Sequence, residues 1–82
     1  MALFYIAYDL DKPGQDYQNL WDELDSLGAK RVQDSVWALR SDTSAKELRD
    51  VLKKHIDSDD RLLVVQSGDW ASRNLMHDPN KL

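Results

Sequence analysis

The sequence contains no cysteine. Disulfides, thiolate metal sites and thiol nucleophiles are therefore excluded, and a reducing compartment is tolerated. Histidine is scarce too. His55 and His77 are the only two, and neither has a partner at ligand or triad spacing, which argues against a zinc site or a serine-type triad. The three glycines stand alone, so no glycine-rich loop exists to cradle phosphates. No run is apolar for long enough to cross a bilayer, and ALFYIAY at 2–8 meets Asp9 without a basic start, so neither a membrane span nor a signal peptide is expected. The expectation is a soluble, cytoplasmic protein with no membrane partner.

Positive charge is also in deficit. Fifteen Asp and Glu against eleven Lys and Arg leave a net charge of −4, the wrong sign for gripping nucleic acid through bulk electrostatics. Any such binding must be local. Basic residues gather at Lys30 and Arg31 and again at Lys46, Arg49, Lys53 and Lys54; the second group reads as the solvated face of a helix.

What is present is a run of short elements in 82 residues, enough for one small domain with a modest core. LFYIAY at 3–8 is aromatic and apolar and predicts a strand. Tyr17, Leu20, Trp21, Leu24 and Leu27 fall on one face of a helix from about Asp16 to Leu27, which Gly28 ends. Two strands follow, about Ala29–Gln33 and Ser35–Arg40. A second helix runs from about Ser44 to Ile56, opened by Ser44 with Glu47 three residues on, the reciprocal capping pattern. His55 sits near its end, where the dipole favours it. RLLVVQ at 61–66 is the last strand, broken by Gly68. Beyond it a short helix capped by Asp69 is expected. The domain thus spans 1–75, with 76–82 as a flexible C-terminal tail.

Strand, helix, strand, strand, helix, strand with right-handed crossovers predicts an α+β, ferredoxin-like βαββαβ sandwich. Its antiparallel sheet has the spatial order 4-1-3-2, with both helices on one face. Yet the strands are apolar on both faces. Leu3, Tyr5 and Ala7 oppose Phe4, Ile6 and Tyr8; Leu62 and Val64 oppose Leu63 and Val65; Val36 and Ala38 oppose Trp37 and Leu39. A face left bare would be a large hydrophobic patch, so a homodimer is expected to bury it. The other cover weighed is the C-terminal segment, with Trp70 and Leu75, folded back as a lid.

The stretch RVQDSVWAL at 31–39 is interrupted by Gln33, Asp34 and Ser35 with no glycine or proline to announce a turn. Strand one runs opposite to both neighbours, so its end, Asp9, lies beside this interruption. Asp59 and Asp60, with Asp11 and Asp16 from the following turn, are expected toward the same end. Crowded carboxylates repel unless solvated, paired with Arg31 or Arg61, or bridged by a hard divalent cation. Aspartate is also a common turn residue. Asp9 stands out because it directly ends a buried strand.

A first strand ending in Tyr8-Asp9, an amphipathic helix, and then Arg31-Val32-Gln33-x-Ser35-Val36-Trp37 resembles the small CRISPR-associated adaptation protein family, over about Ala2 to Gln66. The fold is also shared by small toxin ribonucleases. The resemblance implies a ferredoxin-like homodimer in which paired copies of Asp9 face each other and bind magnesium, acting as a metal-dependent endoribonuclease. Asp9 and Ser35 are then the catalytic candidates, Asp9 the metal ligand, and Tyr8, Arg31 and Gln33 the binding residues. RNA or DNA is the expected partner, with a further protein in a larger complex. The alternative is a non-catalytic scaffold or regulatory dimer of the same fold, since fold alone does not decide function.

Overall fold

The computed structural model describes residues 1–10 and 17–82. Their elements are β1 (Ala2–Asp9), α1 (Gln18–Ser26), β2 (Lys30–Gln33), β3 (Val36–Ser41), α2 (Ala45–Leu52) and β4 (Arg61–Gln66), with one-turn 3-10 segments at Lys53–His55 and Pro79–Lys81. The sheet order is β2-β3-β1-β4 and every pairing is antiparallel, as the ferredoxin-like reading requires. The expected start of the first helix at Asp16 lies outside the described residues.

Sequence punctuation explains the element ends. The Ser44 side chain accepts the backbone N–H of Glu47 at 3.1 Å, which satisfies one of the donors that a helix start leaves free. Gly28 adopts φ +85°, a left-handed conformation that costs glycine little and ends α1. The backbone N–H groups of Gly28 and Ala29 then turn back onto the carbonyls of Asp25 and Leu24, both at 3.0 Å. The second helix finishes in a tighter turn over Lys53–His55, a common way for the last carbonyls of a helix to find partners.

Period-two alternation sends the two faces of each strand into separate cores. On the helix side Phe4, Ile6, Tyr8, Trp37 and Leu39 meet Leu20 and Leu24 of α1 and Leu48 and Leu52 of α2. Burying each of these large side chains stabilises the fold by about 1.5–3 kcal/mol before conformational entropy is counted. On the other side Leu3, Val32 and Ala38 meet Tyr5, Val36, Trp70, Leu75 and Leu82.

The second cluster decides how the outer face is covered. Residues after β4 fold back across it: the Met76 N–H donates to the Val32 carbonyl at 3.0 Å, and Arg40 Nε donates to the Leu82 carbonyl at 3.0 Å. Residues 76–82, expected as a tail, include buried Pro79 and pack Leu82 on the sheet. The helix expected after Asp69 does not form; residues 67–78 are irregular. Asn74, at φ 59°, breaks any helical run there, and the segment gains more by laying Trp70 and Leu75 on the sheet than by closing its own hydrogen bonds. The cover is partial. Leu63 and Val65 on β4 remain 60% and 44% exposed.

Candidate functional site

The interruption in RVQDSVWAL combines a bulge with a two-residue turn. Arg31 pairs with Trp37 and Gln33 with Val36, so Val32 is an extra residue in β2. Asp34 and Ser35 form the turn, and neither has positive φ. Hairpins this tight normally use positive-φ residues whose twist matches the strands. The bulge supplies the missing bend, and it turns Gln33 to the same side of the sheet as Val36.

That bend is tied to the end of β1. The Tyr8 N–H donates to the Ser35 carbonyl at 3.1 Å, which brings Asp9 beside Ser35. Both line a cavity of about 350 Å³ with Ala7, Val36, Arg61 and Leu63. Asp9 lies opposite Arg61 in the β1–β4 register, and Arg61 Nη1 stands 3.9 Å from Asp9 Oδ2 with both side chains mostly exposed, at 84% and 75%. So long and wet an ion pair contributes little stability. It leaves the Asp9 carboxylate accessible on the outer side of the sheet.

Of the other expected site residues, Tyr8 borders this cavity, while Arg31 and Gln33 do not. The Tyr8 side chain points to the helix side, where its hydroxyl accepts the indole N–H of Trp21 and of Trp37, each at 3.0 Å, and reaches the Asp34 carbonyl at 3.5 Å. Those two indoles hold Arg31, whose guanidinium carbon lies 5.4 Å from the Trp21 ring centre and 4.9 Å from that of Trp37. Arg31 Nε is buried with no hydrogen-bond partner among the described residues. This cation–π sandwich locks β2 against α1, and Arg31 does not line the Asp9 cavity. Gln33 borders a separate cavity, described below, that shares Val36 as a wall with the first.

The expected crowd of carboxylates resolves into local contacts. Asp60 accepts the Tyr17 hydroxyl at 3.0 Å and the Asp57 N–H at 2.8 Å, so it pins the turn before β4 to the start of α1. Asp11 and Asp16 lie outside the described residues. Among the described residues no group of three or more His, Cys, Asp or Glu is placed to hold a metal. A roomier cavity of about 670 Å³ is built by the C-terminal segment, with Asp69, His77 and Asp78 in its wall; it holds neither Asp9 nor Ser35.

The fold, the Tyr8-Asp9 strand end and the Gln33–Ser35 hairpin coincide with a family match: residues 1–74 match the family described as CRISPR associated protein Cas2. The chain belongs to this family. Its membership places it among the CRISPR adaptation proteins, and residues 75–82, which form part of the cover over the outer face, fall beyond the matched span. No helix among the described residues is long and apolar enough to cross a membrane.

The Trp21 contribution was hidden from sequence reasoning. Its place on the apolar face of α1 is visible, but the periodicity that places it there describes a core residue equally well. Arg61 carried a clearer signal, because strand pairing sets it opposite Asp9.

Proposed function

We propose that the protein is a homodimeric, cytoplasmic nucleic-acid-processing enzyme, working within a larger protein complex, that cuts phosphodiesters with a magnesium ion held by Asp9. The observation that carries the reading is the meeting of Asp9 and Ser35 in one open cavity at the strand end. The donor chemistry fits. A carboxylate suits a hard cation, and magnesium keeps several of its waters, needing only one or two carboxylates from protein. One chain supplies one such group, so its symmetry mate supplies the second. Magnesium held there would supply charge stabilisation for the phosphoryl oxygens and a lowered pKa for a water.

The chain's own residues do the rest. Asp9 fixes negative charge at the cavity mouth, and Arg61 offers a guanidinium that phosphate oxygens can share with Asp9. The Ser35 hydroxyl donates to the substrate from the turn that the Tyr8 N–H holds in place. Exposed Leu63 and Val65 lie on β4, whose outer edge carries no strand among the described residues. An apolar strand edge of this kind is what a second copy covers.

Purified protein incubated with single-stranded RNA or duplex DNA, with magnesium or with chelator, tests the activity. Metal-dependent cleavage lost in Asp9→Ala is expected; no cleavage on either substrate, or equal cleavage by the variant, removes the proposal. Light scattering behind a sizing column should report twice the chain mass. The Asp9–Arg61 pairing also suits a second reading, a non-catalytic scaffold dimer, and the same assay separates the two.

A further inference from the structure

The cavity bordered by Gln33 has a composition that the hairpin alone does not explain. It measures about 340 Å³ and lies between the C-terminal segment and the outer face of the sheet, with Tyr5, Val32 and Val36 below and Trp70, Arg73 and Leu75 above. Its size falls at the lower end of small-ligand sites, roughly 300–1,000 Å³, and mostly apolar walls with a few polar groups are their usual make-up. Two aromatic rings meet in this wall. Tyr5 and Trp70 stand edge to face, their centres 6.1 Å apart at 72°. The Tyr5 hydroxyl is buried with no hydrogen-bond partner among the described residues, an atom whose desolvation none of them offsets.

Charge narrows the ligand. Arg73 is the single charged residue in the wall, and it makes no ion pair or hydrogen bond among the described residues. On a chain of net charge −4, a lone unpaired guanidinium beside aromatic rings favours an anion that carries a flat ring. The bulge adds Gln33, whose amide can both donate and accept, as the edge of a base requires. Val36 is a wall common to this cavity and the Asp9 cavity, so the two are neighbours on the outer face of the hairpin.

We infer that this cavity binds one unstacked nucleotide, its base against Trp70 and Tyr5, its edge read by Gln33 and its phosphate on Arg73. The inference rests on the proposed cutting activity for its consequence: the captured base sets which phosphodiester reaches Asp9. The nucleotide belongs to a single strand, because a paired and stacked base cannot enter between a ring and a sheet. A free mononucleotide offers the same chemistry.

The test is anisotropy, in chelator, of a labelled single-stranded oligoribonucleotide and, in separate titrations, of labelled AMP and UMP. The proteins are the wild type, Trp70→Ala, Trp70→Phe, Arg73→Gln and Asp9→Asn. Binding without metal, kept by Asp9→Asn and Trp70→Phe and weakened roughly tenfold or more by Trp70→Ala, is expected for a stacked base. Arg73→Gln should weaken it by several fold and reduce its salt dependence. Arg73 is exposed and makes no ion pair or hydrogen bond among the described residues, so this variant reads the site even where Trp70→Ala disturbs the segment. Wild-type affinity in both Trp70→Ala and Arg73→Gln overturns the inference, as does an absence of binding by oligonucleotide and mononucleotide alike. Binding of labelled mononucleotide with no oligonucleotide binding upholds the cavity and overturns its link to cutting. Binding that follows the expected pattern in a protein that never cleaves sinks the proposed activity and leaves the cavity standing.

Discussion

The Trp37 indole N–H donates to the Tyr8 hydroxyl at 3.0 Å, across two neighbouring strands and inside the helix-side core. The same oxygen accepts Trp21 from α1, so one hydroxyl ties two strands and a helix together. Trp37 is buried, whereas Trp21 is partly exposed and can turn its N–H to water. Tyr8→Phe therefore strands one buried donor, and the expected loss is about 1–3 kcal/mol, the cost of an unsatisfied buried polar group. Urea unfolding should show a lower midpoint with an unchanged slope. An unaltered midpoint would mean that the indoles find other acceptors.

Asp9 has the opposite profile, exposed and loosely paired. Without metal, Asp9→Asn and Arg61→Gln should each change stability by less than about 0.5 kcal/mol, as expected for a solvated pair. Ser35→Ala should fall in the same range, since Ser35 is an exposed turn residue. With magnesium at a hundredfold excess over Kd, the wild type should gain about 2.7 kcal/mol. Asp9→Asn and Asp9→Ala should lose that gain, and Ser35→Ala should keep only part of it. A wild-type melting curve indifferent to magnesium between pH 6 and 8 counts against the metal site.

The backbone plan was readable because its signals are local. Ser44 with Glu47, Gly28 after Leu27, and the apolar runs in 3–8 and 61–66 each act within a few residues, and each element forms where its residues dictate. Asp9 beside Ser35 followed from topology, since antiparallel pairing alone brings the two together. The C-terminal cover was harder. DWASRNL spells a plausible helix start, but Trp70 and Leu75 gain more from the open sheet face, and such a tertiary preference leaves no periodic trace. Arg31 shows the same gap. The family resemblance implies a binding role for it, while the two indoles around it come from distant positions and are visible only in three dimensions.

Asp50 gives a pH-dependent prediction. Hydrogen bonds first from Lys46 and then from Arg49 hold its carboxyl down, from 3.8 to about 2. A carboxylate depressed by folding stabilises the native state above its unfolded pKa, and that contribution fades as pH falls through the folded value. The window is thus from about pH 3.8 down to about 2. Asp50→Asn should melt below the wild type at pH 6, and the difference should close as pH falls through this window. A difference that stays constant to pH 2 would mean that the three cations around Asp50 act through packing of their stems.

Gly28 ends α1 and launches the chain into the bulged strand, so its conformation sets the angle at which Arg31 meets the two indoles. A Cβ built there meets nothing within 4 Å, and crowding therefore adds no cost to a substitution. What remains is φ +85°, which an L-residue adopts at a cost of roughly 1–2 kcal/mol. Gly28→Ala should destabilise by about that amount. Gly28→Asn should cost clearly less, because asparagine tolerates the left-handed region. Thermal unfolding of the pair isolates backbone strain from packing, since both variants fill the same open space. Equal losses for alanine and asparagine would show that tolerance of the left-handed conformation is not what sets the cost.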